Sequence, residues 1–166
     1  PRAFSDSNHI EEIQGVYVPF WLYSGQADAD MTFDATRVHV HRRGNQEITE
    51  TEHFQVRRAG TLSFEQIPVD ASSKMPDAHM DAIEPFDYSE MVPFSTAYLP
   101  GFLAVRYDME PEQCYDRADE RAGNTAAELV GRTVRGYNSV TPLGRQIRIR
   151  RGRVSYALMP VWIDRK

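Results

Sequence analysis

Five arginines near the C-terminus carry the clearest potential for binding chemistry in this sequence. Alternation along a strand would place Arg148 and Arg150 on one face, opposite Ile147 and Ile149. A row of guanidinium groups can bind the phosphates of a nucleic acid, and Tyr156 could add base stacking. The candidate nucleic-acid-binding residues are therefore Arg145, Arg148, Arg150, Arg151 and Arg153.

The same arginines have an alternative role, because the charges of the chain are unevenly distributed. Residues 1–131 contain 10 Lys and Arg against 23 Asp and Glu, a net charge of −13, whereas residues 132–166 contain nine against one, a net charge of +8. We favour ion pairs within the chain, since a protein with a net charge of −5 attracts DNA poorly at long range. The acidic partners that we expect on a long helix are Glu112, Asp116, Asp119 and Glu120.

Two histidines, His39 and His41, have the spacing of metal ligands on one face of a strand, and the predicted pairing brings Glu50 close to them. Two imidazoles without a third ligand from a rigid neighbour bind metal poorly, so we predict no metal site and an exposed hairpin surface of ion pairs. An alternative is a hydrolase with dispersed residues, in which His39, His41 or His53 converges with carboxylates in a deep pocket.

Motifs of other chemistries are incomplete or absent. Asp28 and Asp30 resemble part of a calcium loop but lack its glycine and terminal glutamate, so we expect them in a bend between strands. The single cysteine, Cys114, excludes an intramolecular disulfide and a multi-cysteine zinc site. The sequence contains no GxxxxGK[ST], GxGxxG, GxSxG or HExxH motif, so we predict that the chain is not an enzyme and not an ATP-driven motor.

The elements that would position these residues begin with a hairpin. Residues 31–41 and 47–57 both alternate in polarity, and Gly44 and Asn45 between them predict a two-residue turn. A turn centred there predicts the facing pairs Phe33 with Val56, Ala35 with Phe54, Arg37 with Glu52, and His39 with Glu50.

Two further glycines predict additional turns. Gly60 would begin a turn that leads into a third strand over residues 61–69. Gly152 would turn the chain into residues 154–163 and so form a closing C-terminal hairpin.

Both tryptophans lie in apolar runs with the same Pro-x-Trp pattern. Trp21 ends the phrase that starts at Gly15, and Trp162 lies four residues before the last residue. We predict that both segments are buried strands that close a shared hydrophobic core.

The helical signals are strongest over residues 110–135, where Pro111 fits a first helical position and an apolar stripe follows. Shorter helices are expected over residues 6–15 and 76–83, with a broken one within residues 95–108. Together these signals predict one α+β domain over residues 1–166. In it, an antiparallel β meander and a C-terminal hairpin pack against one long and several short helices.

The sequence resembles bacterial proteins that contain TFIIB-type zinc ribbons and are often labelled as primosomal proteins or DNA helicases. The resemblance lies in four stretches, residues 9–21, 68–75, 83–88 and 154–162. The resemblance covers nearly the whole chain. It implies zinc ribbons before this region and an apolar membrane segment after it, so that the chain would be the middle domain of a longer protein. It implies no catalytic residues, and the helicase label has no support in these residues.

We therefore expect a non-enzymatic interaction domain with a protein partner, located in the cytoplasm and membrane-anchored only through a flanking segment. No cofactor is expected in the domain itself, since zinc would belong to the upstream ribbons. Nucleic-acid binding through the arginines and dispersed hydrolytic residues remain the alternatives.

Overall fold

Long strands dominate the chain in the computed structural model, which describes residues 12–74 and 87–165. The mixed α+β class is confirmed. The helix predicted over residues 76–83 lies outside the described residues. In chain order the elements are β1 (Glu12–Arg43), β2 (Gln46–Asp70), the 3₁₀ helices η1 (Tyr88–Glu90) and η2 (Thr96–Tyr98), β3 (Leu103–Ala104), the 3₁₀ helix η3 (Pro111–Cys114), α1 (Tyr115–Gly131) and β4 (Ser139–Arg165).

Strand β1 is the hydrogen-bonding centre of a four-stranded sheet. It lies between β2 and β3 and also pairs with β4. The turn between β1 and β2 falls at Gly44 and Asn45, as predicted, and Gly44 has a φ of 65°, which a glycine adopts without steric cost. Strand β3 runs parallel to β1, with Val16 opposite Leu103 and Tyr17 opposite Ala104.

None of the helices in the described residues is long and apolar enough to cross a lipid bilayer.

The chain divides into two compact units. Unit 1 comprises residues 1–21, 70–110 and 156–166, and unit 2 comprises residues 22–69 and 111–155. The long strands β1, β2 and β4 each contribute residues to both units.

The core of unit 2 follows from alternation along β1. Ala29, Met31, Phe33 and Ala35 are buried, and they pack with Val56, Val130 and Val134. Helix α1 lines its buried side with small residues, Ala118, Ala122 and Ala126 among them. The end of the helix packs on Phe33, one of the largest fully buried side chains, since a Cβ atom on Gly131 would lie 3.8 Å from Phe33 Cε1.

The core of unit 1 is formed by the ends of the same strands. Val16, Val18 and Phe20 of β1 are buried, as are Ala157 and Met159 of β4. Backbone hydrogen bonds fix Ala71 to this core, because its amide donates to the carbonyl of Pro19 in β1, and the amides of Asp108 and Met109 donate to the carbonyl of Ala71. That anchoring positions the residues of the groove described below.

Two predicted turns are wrong, because the chain continues in a strand through both glycines. Strand β2 runs unbroken through Gly60, so the predicted third strand is part of β2. Strand β4 runs unbroken through Gly152, so there is no C-terminal hairpin. Gly152 lies against Ser24 and Gly25, and a Cβ atom on Gly25 would come within 2.3 Å of the Arg150 carbonyl oxygen. These glycines permit close approach of two strands rather than a reversal.

The remaining corrections concern helices and a bend. Asp28 and Asp30 lie within β1, so they form no bend. Residues 12–15 of the predicted N-terminal helix are strand, and residues 6–11 lie outside the described residues. Residues 95–108 contain η2 and β3 instead of a broken helix. The long helix is confirmed as η3 followed by α1, ending at residue 131.

Candidate functional site

Four of the five candidate nucleic-acid-binding arginines contact side chains of their own unit. Arg150 donates two hydrogen bonds to Asp28, of 2.8 and 2.9 Å, and the Arg148 guanidinium lies 3.6 Å from the same carboxylate. Arg145 donates to the side-chain oxygen of Asn124 at 2.9 Å.

Arg151 pairs with the long helix, as the prediction of internal ion pairs expects. It donates two hydrogen bonds to Asp119, of 3.1 and 2.6 Å, and its guanidinium carbon lies 4.3 Å from the centre of the Tyr115 ring. Arg153 is exposed and forms no ion pair with the described residues. A nucleic acid would have to displace most of these contacts, and binding through the arginines stays a prediction.

Ion pairs also occupy the polar face of β1, where the sequence predicted a bend. The hydrogen bonds from Arg150 lower the pKa of Asp28, and those from Arg57 lower the pKa of Asp30. Arg57 donates to both carboxylate oxygens of Asp30, at 2.9 and 2.6 Å. These carboxylates therefore link β1 to β4 and to β2 through ion pairs.

The histidines lie on the exposed part of the β1–β2 hairpin. The Nε2 atom of His39 is 3.2 Å from Glu52, and that of His41 is 3.3 Å from Glu50. A turn at Gly44 and Asn45 would place His39 directly opposite Glu50, so each histidine contacts the glutamate diagonally across from it. Strand twist brings the residues of one diagonal closer together. Residues 12–74 and 87–165 contain no group of three His, Cys, Asp or Glu side chains that could hold a metal ion. His53 is exposed as well, so the described structure does not bring these histidines into a pocket.

Unit 1 contains a groove of about 1140 Å³. We call it the aromatic groove. Strands β1 and β4 supply Tyr17 and residues 156–160, the segment around β3 supplies residues 104–107, and the loop over residues 87–99 supplies the opposite side. The hydrogen bond from the amide of Val105 to the carbonyl of Tyr17 holds the β3 segment beside β1.

Two rings of the groove lining, Tyr107 and Tyr156, belong to an aromatic cluster. Trp21, Tyr107 and Tyr156 pack against one another, with ring centres 5.1 to 5.7 Å apart and the planes of Tyr107 and Tyr156 at 67°. The Trp21 indole donates to the carbonyl of Met109 at 2.8 Å, which fixes its ring. Burial, followed by the nearby Tyr107, raises the pKa of the Tyr156 hydroxyl. The cluster is thus a preformed, partly solvent-facing aromatic surface.

Several apolar side chains on the loop side of the groove are exposed to solvent. Val92 is 62% and Phe94 is 66% exposed, and Met91 is exposed as well. These side chains therefore face solvent rather than the core of unit 1.

The prediction that both tryptophan-bearing strands are buried is wrong at Trp162. It is 64% exposed and packs beside Phe102, at a ring distance of 5.2 Å. Alternation in β4 explains the difference, because Ala157 and Met159 occupy the buried face and Trp162 has the parity of the exposed Tyr156. This parity was the signal in the sequence that could have identified the exposed face.

Charged residues lie among the apolar lining. The lining includes Asp87, Glu90 and Arg106. The Asp87 carboxylate accepts hydrogen bonds from the Ser89 hydroxyl and amide, at 2.5 and 3.0 Å, and these bonds lower the pKa of Asp87. Asp87 therefore remains negatively charged over the physiological pH range.

Comparison with known proteins gives one informative relative. No protein-family model matches the chain. No solved structure matches it either. The chain is 37% identical over 163 residues to the uncharacterized protein YdjG of Bacillus subtilis (strain 168). The match covers 98% of this chain but 48% of the relative, so the chain spans about half the length of the curated relative that it matches.

Proposed function

We propose that the chain is a non-enzymatic interaction domain whose aromatic groove binds an apolar peptide segment of a protein partner. The observation that carries the proposal is the concentration of exposed apolar side chains around one groove of unit 1. Exposed apolar patches rimmed by polar residues mark binding surfaces in soluble proteins, whereas single exposed apolar residues need no explanation.

The composition of the groove supports a peptide rather than a small polar metabolite. Its volume of about 1140 Å³ lies slightly above the range of about 300–1,000 Å³ that is usual for small-ligand pockets. Tyr and Trp are the residues that contribute most to the energy of protein interfaces, because one rigid side chain contributes a large contact area at a low entropy cost. Tyr107 and Tyr156 of the groove lining supply such anchors here, and Trp21 packs against both of them.

The proposal includes a cellular setting that rests on sequence resemblance. The domain would lie between zinc ribbons and a membrane anchor of a longer cytoplasmic protein, and the zinc would be bound outside this domain. YdjG is about twice as long as the matched region, and this length supports the proposed setting within a larger protein.

Selection from a random peptide library displayed on phage tests the proposal. We expect enriched peptides to bind the chain, and the variants Tyr107→Ala and Tyr156→Ala to weaken binding about tenfold or more, as loss of an anchor residue does. Val40→Ala is the matched control, since Val40 is 57% exposed on the hairpin of unit 2. Failure to enrich any peptide, or equal losses with Val40→Ala, would contradict the proposal.

Oligonucleotide binding at two salt concentrations tests the alternative. Binding through the five arginines requires an affinity that falls with salt, with a logarithmic slope of about −0.9 for each phosphate contact to duplex DNA. The charge-reversed variant Arg153→Glu should then weaken oligonucleotide binding. Its effect is the simplest to interpret, because the substitution breaks no ion pair within the described residues. Affinity without a salt slope removes this alternative.

A further inference from the structure

We infer that the aromatic groove recognises a proline-rich segment in the polyproline II conformation, with a basic residue flanking the prolines. This inference rests on the proposed function and specifies its ligand. Aromatic-lined grooves bind this conformation in several unrelated interaction modules, because the extended helix exists before binding and little entropy is lost on contact.

The first argument is the arrangement of the tyrosine rings. Tyr98, Tyr107 and Tyr156 line the groove, and each is 44 to 51% exposed. The planes of Tyr107 and Tyr156 meet at 67°, with centres 5.7 Å apart, so the two rings do not cover each other by stacking. Proline rings are compact and apolar and can pack on such partly exposed ring surfaces.

The second argument is hydrogen-bonding capacity. A polyproline II segment forms no internal hydrogen bonds, so its carbonyl groups need donors from water or from a partner. The hydroxyls of Tyr98, Tyr107 and Tyr156 have no hydrogen-bond partner within residues 12–74 and 87–165, whereas the hydroxyl of Tyr17 donates to the carbonyl of Tyr98 at 3.1 Å. Three phenol donors in an apolar groove match a ligand that is rich in unpaired carbonyls.

The third argument disfavours strand addition at β3, in which a peptide extends a sheet through main-chain hydrogen bonds. Of the strands that contribute to the groove, β3 contains two residues, and the next amide, that of Val105, already donates to the carbonyl of Tyr17 at 2.9 Å. A ladder of backbone hydrogen bonds therefore has little edge to extend along β3. A ligand that depends on side-chain contacts and scattered carbonyl contacts fits better.

Charge specifies the flanking residue. Asp87 and Glu90 lie in the lining, and Glu90 forms no ion pair with the described part of the chain. A Lys or Arg beside the prolines would pair with these carboxylates. Arg106, also in the lining, can donate to a peptide carbonyl and would repel a second basic residue near it.

A titration with defined peptides tests the inference. The protein carries Trp162→Phe, so that fluorescence reports on Trp21, whose ring contacts both Tyr107 and Tyr156. The probe is a synthetic peptide with a Pro-x-x-Pro core and a flanking arginine. Its controls replace the prolines by alanine or the arginine by glutamate, and a further control is an amphipathic helical peptide of similar apolar content.

We expect the proline peptide to bind and each peptide control to bind about tenfold more weakly or less. Tyr107→Phe and Tyr156→Phe, which keep the rings, should weaken binding less than the alanine variants, and Glu90→Gln should reduce only the preference for arginine. Equal binding of the alanine-substituted or helical peptide overturns the inference while the proposed function stands. Absence of binding by every peptide overturns both.

Sedimentation of the free protein supplies a further outcome, because self-association that is abolished by Tyr156→Ala would show a second copy in the groove and overturn the inference.

Discussion

Replacement of Gly25 by alanine is the sharpest test of the strand arrangement in unit 2. A Cβ atom at this position would lie 2.3 Å from the carbonyl oxygen of Arg150, 3.0 Å from the amide nitrogen of Gly152 and 3.0 Å from Phe64 Cζ. Two of these atoms belong to the backbone of β4 and cannot rotate away, so the strands must separate. Overpacking of this kind typically costs about 1–3 kcal/mol, and the short contact with backbone places Gly25→Ala at the upper end.

Two other glycines provide a graded comparison. A Cβ atom on Gly152 would meet the Ser24 carbonyl oxygen at 3.0 Å, so Gly152→Ala should cost about 1 kcal/mol. A Cβ atom on Gly60 would meet nothing within 4 Å, and Gly60 has no positive φ. Gly60→Ala should therefore stabilise the chain by about 0.4–1 kcal/mol, because it reduces the conformational entropy of the unfolded state.

Urea unfolding measures this series. Circular dichroism is the suitable signal, because Trp21 and Trp162 both belong to unit 1 and the three glycines belong to unit 2. The midpoints should rank Gly60→Ala above the unchanged protein, followed by Gly152→Ala and then Gly25→Ala, with similar dependence on urea. A strongly destabilising Gly60→Ala would mean that Gly60 occupies a turn. A neutral Gly25→Ala would refute the close approach of β1 and β4.

Three further changes test contacts of unit 2. Asp28→Asn removes the partner of Arg150. Because the pKa of Asp28 is lowered in the folded state, its carboxylate stabilises the fold above the unfolded-state pKa, and this stabilisation is lost as the pH falls through the folded-state pKa. The urea midpoints of the variant and the parent should therefore differ at neutral pH and converge at strongly acidic pH. Tyr23→Phe removes the hydroxyl that donates to the Pro111 carbonyl at 2.7 Å, and should lower the free energy of unfolding by about 1 kcal/mol. Burial raises the pKa of Tyr23, so the parent should lose stability above the pKa of an unfolded tyrosine, and Tyr23→Phe should flatten that alkaline loss in the same measurement. Phe33→Ala empties a site that is 1% exposed and should cost about 3–5 kcal/mol; a loss below 1 kcal/mol would contradict its place in the core.

Local signals predicted the elements whose causes are themselves local. The turn at Gly44 needs only a residue that tolerates positive φ between two alternating segments. The helix after Pro111 needs a tolerated first residue and an apolar stripe, both visible in the sequence. The partnership of Arg151 with the acidic helix followed from the charge distribution, since opposite charges separated in sequence attract once the chain is compact.

Glycine misled the prediction because its role depends on neighbours that the local sequence does not contain. Gly60 and Gly152 have the same local appearance as turn residues, yet β2 and β4 each pair with β1. The strands therefore continue through both positions. At Gly152 the absence of a side chain allows contact with β1, whereas at Gly60 the surroundings are open.

The sequence by itself determined the α+β class, the first hairpin and the long helix, because periodicity, turn residues and capping act over a few neighbouring positions. Only the tertiary structure decided that Trp162 faces outward and that Tyr98, Tyr107 and Tyr156 line a common groove. Tyr98 and Tyr107 lie in a different segment of the chain from Tyr156 and Trp162, and the packing of the two segments determines which of their faces meet. A binding surface assembled in this way has no contiguous sequence signal, since it depends on contacts formed only after the chain has folded.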